Sequence, residues 1–149
     1  MSETRITRVL EAPRERVYAT LVDPDAFPRW KAPSGMTCRV DSSDGRDFRV
    51  SLTYDDADRA GKTTEHTDTY RGSFVELVPN ERVVEVDEFE TDDPALQGAM
   101  TITYMLGDAD GRRTELTAVH AGLPRGVTQA DNELGWAEAL DRLAELVKV

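Results

Sequence analysis

The sequence predicts an α+β domain in which a curved, mostly antiparallel sheet wraps around one long C-terminal helix. Three observations predict it. A strand and a short helix open the chain, a long run of strand-like segments fills its middle, and a single amphipathic stretch closes it. In that last stretch Trp136, Leu140, Leu143 and Val147 fall at i, i+4, i+7 and i+11, so they share one helix face. A sheet curved around a helix leaves a cavity between the two layers, and the cavity is where a function would sit.

The elements follow in order. Thr4 to Glu11 sets Ile6 and Val9-Leu10 among charged residues and reads as the first strand. Pro13, with φ preset and no N–H to lose, suits the first turn of a helix whose inner stripe is Val17, Leu21 and Tyr18. Asp23-Pro24 ends it, because a residue before proline avoids the α region. Phe27 and Trp30, three apart, suit one short helical turn with both rings inward. Strands are expected at Met36 to Val40 and at Asp47 to Tyr54, joined by the Asp44-Gly45 turn. Asp55 to Lys62 is an acidic loop, and Thr63 to Val78 is a long strand, bent or bulged near Gly72. Pro79-Asn80 turns the chain into Arg82 to Glu90, and Thr91 to Pro94 breaks it again. Met100 to Leu106 and Thr114 to His120 flank a hairpin turn from Gly107 to Gly111. After Leu123 to Gly126, Thr128 is the expected N-cap of the last helix, with Asp131 in its first turn.

Composition narrows the function classes. The chain has 149 residues, one domain's worth, and such a chain buries about two-thirds of its unfolded surface. Hydrophobic residues at 39% and charged residues at 32% fit a soluble globular protein. The net charge of −11 opposes both a phosphate backbone and an anionic membrane surface, so neither nucleic acid nor membrane is an expected partner. Its acids are scattered, which suits a solvated surface. No apolar run is long enough to span a membrane, and Met1 to Arg5 has no apolar signal segment. The lone Cys38 cannot form an internal disulfide, which agrees with a cytoplasmic setting.

Several segments together resemble a known family. Ala12-Pro13, Val17-Tyr18, Leu21, Asp23-Pro24 and Trp30 resemble the opening of the SRPBCC or START-like superfamily, and within it the relatives of the C-terminal domain of the activator of Hsp90 ATPase. The stretches Gly72 to Val84, Thr114 to Leu123, and Gly135-Trp136 with Leu140 and Leu143 match in the same order. The resemblance spans essentially the whole chain. It implies a helix-grip, or Bet v 1-like, fold that binds apolar or amphipathic small molecules between sheet and helix. Many members have no known activity, so it speaks to fold more than to reaction.

Catalytic and metal-binding signatures are missing from the sequence. There is no nucleophile elbow, phosphate loop or dinucleotide fingerprint, and one Cys with two His cannot build a zinc cluster. Asp108 to Gly111 echoes a calcium loop, but the twelfth position holds Val119 instead of Glu. No cofactor is therefore expected. His120 shares a strand face with Thr114, Leu116 and Ala118, which points it inward at a cavity mouth, while His66 sits on a more polar strand and is expected to be exposed. His120 is the one weak catalytic candidate. Arg49 and Arg71 read as outward, although an inward arginine would anchor a carboxylate.

The expected cavity lining is Trp30, Tyr70, Phe89, Met100, Tyr104, Ala118, His120, Trp136 and Leu140. The leading reading is a non-catalytic domain that binds an apolar or aromatic small molecule. Two alternatives stand beside it: a polyketide cyclase or aromatase-like enzyme using His120, Tyr70 or Tyr104, and a chaperone-regulating interaction module. Exposed strand edges would also permit a homodimer.

Overall fold

The computed structural model describes residues 3–56 and 66–149. Seven strands form one antiparallel sheet: β1 (Glu3–Leu10), β2 (Met36–Ser43), β3 (Asp47–Tyr54), β4 (Thr67–Val78), β5 (Arg82–Phe89), β6 (Met100–Ala109) and β7 (Arg113–Ala121). Their order across the sheet is β1-β7-β6-β5-β4-β3-β2, so β2 to β7 form a meander and β1 closes onto the last strand. Two short helices, α1 (Arg14–Leu21) and α2 (Phe27–Trp30), and the long α3 (Gln129–Val147) lie on the concave face. The helix-grip architecture expected from the sequence is therefore present.

Local chemistry explains the element ends. Thr128 caps α3 by accepting the Asp131 amide at 3.1 Å, as its sequence position suggests. Pro13 stands just outside α1 instead of in its first turn, and its carbonyl accepts the amides of Arg16 and Val17. The bend expected near Gly72 lies three residues on, as a register shift between Phe74 and Glu76; a second shift falls between Val40 and Ser42. β6 runs three residues further than expected, to Ala109, so the hairpin tightens to Asp110–Arg112, where Gly111 has φ of 71°. Residues 57–65, which carry most of the expected acidic loop and the first three residues of the expected long strand, lie outside the described residues.

Period-2 alternation places one set of side chains on the concave face. Phe27, Phe48 and Phe74 form an aromatic cluster there, with ring centroids 5.1 Å apart for Phe27–Phe48 and for Phe48–Phe74. Leu10, Val17, Leu116, Leu140 and Leu143 are fully buried with them. In the register, Gly72 stands between Phe48 on one side and Asp87 on the other. A Cβ at Gly72 would collide with both the Phe48 ring and the Asp87 carboxyl, so glycine is what lets these two side chains lean together.

Two glycine substitutions should therefore move stability in opposite directions. Gly72→Ala overpacks the core and should cost about 1–3 kcal/mol. Gly135→Ala, inside α3, meets nothing nearer than Pro33 at 3.8 Å. It should stabilise by about 0.5–1 kcal/mol through helix propensity and the unfolded-chain entropy. Urea denaturation midpoints of the two variants check both signs.

Candidate functional site

A hollow of about 320 Å³ opens between the first turns of α3, the α2–β2 junction and the concave face of the sheet. Of the side chains that the sequence assigns to a lining, Trp30, Tyr70, Phe89, Met100, His120 and Trp136 stand in its wall. Tyr104, Ala118 and Leu140 are buried outside the wall. Tyr104 packs edge-on to Trp30 at 6.4 Å and tilted against Trp136 at 6.0 Å, so it supports the wall from behind. Ala118 and Leu140 are core: Ala118 is flanked on the sheet by Ile6 and Tyr104, and Leu140 is fully buried on α3.

His120 ends β7 beside α3. Its ring meets Trp136 edge-on at 5.4 Å, and its Nδ1 lies 3.3 Å from the Asn132 side-chain nitrogen. Burial holds the imidazole down at about 4, against a smaller opposing pull from Glu85, so the ring is neutral near pH 7. With the Asn132 amide donating to Nδ1, the ring proton sits on Nε2. That Nε2 is buried and has no partner among the described residues. His66 is half-buried, not exposed, and has an interaction partner.

The scattered acids suggested a solvated surface, yet Glu85, Asp87 and Asp68 are buried together with Lys31. Lys31 caps the C-terminus of α2, and its Nζ reaches the two carboxylate oxygens of Glu85 at 3.1 and 3.0 Å, with side chains 4% and 1% exposed. The ammonium also lies over the Phe27 ring at 4.3 Å and the Phe48 ring at 5.1 Å. Two strand positions away, Asp87 is held well above the usual carboxylate range, first by burial and then by the Glu85 charge, with Lys31 opposing. Burial, followed by the nearby carboxylates, likewise pushes the Tyr70 and Tyr104 phenols up.

The sequence offered one usable trace of this cluster. Val83, Glu85, Asp87 and Phe89 alternate onto a single strand face, and an apolar residue at each end of that row marks the face as inward. By contrast, Arg49 and Arg71 point away from the hollow. Arg49 grips Glu90 through two nitrogens at 2.7 and 2.9 Å, and Arg71 joins at 2.8 Å. These bonds bring the Glu90 carboxyl down to about 2. Asp108 is taken up by Arg14 at 2.9 Å. Among the described residues no cluster of three or more His, Cys, Asp or Glu is arranged to hold a metal ion, and no helix is long and apolar enough to cross a membrane.

The buried pair gives a sharp mutational expectation. Lys31→Met strands the Glu85 charge and should cost about 3–5 kcal/mol, whereas Lys31→Met with Glu85→Leu should recover most of that loss. Equilibrium urea unfolding of the single and double variants measures both.

The pH dependence has two opposing parts. Between about pH 4 and 6.5 the unfolded chain protonates His120 while the native chain does not, so this group makes stability rise with pH. Asp87 does the reverse: the native chain keeps a proton that the unfolded chain releases above 3.8, so stability falls as pH rises. Above 3.8 the two slopes therefore oppose each other. Asp87→Asn should therefore expose the His120 slope, a gain of about 3 kcal/mol in stability from pH 4 to 6.5, read from urea midpoints at successive pH values.

Comparison with known proteins places the chain. No curated protein matches it significantly. Among solved structures, protein CV1439 of Chromobacterium violaceum is 32% identical over 99% of this chain and 97% of its own, with a TM-score of 0.86. The AHSA1 protein of Silicibacter pomeroyi shares the fold at 16% identity and a TM-score of 0.78, covering 98% of this chain and 97% of its own. Protein NE0264 of Nitrosomonas europaea does so at 23% identity and a TM-score of 0.69, covering 98% and 94%. The model of the family described as Activator of Hsp90 ATPase homolog 1-like protein matches residues 11–148, and the chain belongs to that family, within the SRPBCC superfamily.

Proposed function

We propose that this domain binds an apolar or amphipathic small molecule in the hollow without transforming it. Family membership supports a ligand-binding or regulatory domain in general. One observation carries the narrower reading: the wall combines Trp30, Trp136, Phe89 and Met100 with a few buried polar atoms that lack protein partners. A mainly apolar concavity with a few fixed polar groups is the usual make-up of a small-molecule site, and about 320 Å³ lies at the small end of such sites. An aromatic or short amphipathic guest suits this volume better than a long lipid. The net charge of −11 sets the domain against nucleic acid and anionic membrane as partners.

The chain has two tryptophans, and both stand in the wall. Titration with a small aromatic should therefore change the intrinsic tryptophan emission saturably. Ala139 is a buried wall residue on α3, and Ala139→Phe should fill the space and weaken the response at least about tenfold, the equivalent of roughly 1.4 kcal/mol. An unchanged affinity in Ala139→Phe would place the ligand elsewhere.

A further inference from the structure

We infer that the hollow selects an uncharged ligand bearing a hydrogen-bond-accepting oxygen, an aryl ketone or similar carbonyl compound, and rejects the carboxylate of the same shape. This rests on the reading of the hollow as a ligand site. The geometry carries it in two steps.

First, the wall offers no free cation. Among the described wall residues Lys31 is the only basic side chain. Both oxygens of Glu85 engage its ammonium, which also lies against the Phe27, Phe48 and Trp30 rings. The other ionisable side chains in the wall are acids or neutral. Asp68 and Asp87 are buried, Asp131 and Glu138 lie on the α3 side, Tyr54 and Tyr70 are phenols, and His120 is uncharged near pH 7. A ligand carboxylate would meet no unpaired counter-charge among the described wall residues, in a chain that already carries −11.

Second, two residues of the wall carry donors with no protein partner. Trp30 is fully buried and His120 is 7% exposed, and Trp30 Nε1 and His120 Nε2 have no partner among the described residues. The indole nitrogen can only donate, and the imidazole donates from Nε2 when Asn132 supplies Nδ1. A buried donor left unmatched is costly, so a guest that brings an acceptor oxygen gains what a hydrocarbon cannot. The unpartnered Oδ1 atoms of Asp87 and Asn132 can in turn accept from a hydroxyl on the same guest.

Three isosteric probes test this by equilibrium dialysis near neutral pH: 2-acetylnaphthalene, the hydrocarbon 2-isopropenylnaphthalene and 2-naphthoate. The ketone is expected to be retained at least about tenfold more tightly than either of the others. Naphthoate binding as well as the ketone, or the hydrocarbon binding as well as the ketone, would overturn the inference while leaving the hollow a ligand site. Failure of all three to bind would overturn that reading as well. His120→Phe should shrink the ketone's advantage over the hydrocarbon, and His120→Gln, which keeps a donor, should retain more of it. An unchanged ratio in both variants would remove His120 as the donor.

Discussion

The ion pair between Lys31 and Glu85 fixes how the helical layer sits on the sheet. α2 is only four residues long and has no stability of its own. Phe27 and Trp30 bury it, but apolar contact is non-directional and would tolerate sliding. The ammonium bonded to both oxygens of Glu85, on the fourth strand across the sheet, removes that freedom. Its depth in turn fixes where the Trp30 indole stands, and with it one wall of the hollow.

That pair also sets the electrostatics around it. The Glu85 charge sits beside Asp87 and, together with burial, raises the pH at which that carboxyl gives up its proton, while Lys31 opposes. Gly72 makes the arrangement sterically possible by leaving space for the Asp87 carboxyl against the Phe48 ring. The charge that gives the molecule its sign lies mostly on the outside, where water screens it.

The fold was legible because its signals are local. Alternation in β3, β6 and β7, the proline and glycine breaks, and the stripe Trp136, Leu140, Leu143 and Val147 each follow from neighbouring residues. Half of the site was hidden because its causes are not local. Lys31 and Glu85 are 54 residues apart, and each alone looks like a surface charge. Burial of either depends on the other. The three lining assignments that fall outside the wall share a different cause. Tyr104, Ala118 and Leu140 do face the sheet–helix interior, but alternation gives a face, not the depth along it at which close packing gives way to open space.

α3 is unevenly anchored. Its buried residues are Ala139, Leu140, Leu143 and Val147, all in the C-terminal half, while none of residues 129–138 is buried. Those same first turns supply Asn132, Gly135 and Trp136 to the wall. The helix is therefore two things joined end to end: a foundation that belongs to the core, and a cantilever held by the Thr128 cap and the walls it touches. The helix is least buried where the hollow opens, so its doorway and its most shallowly seated turns are the same few residues.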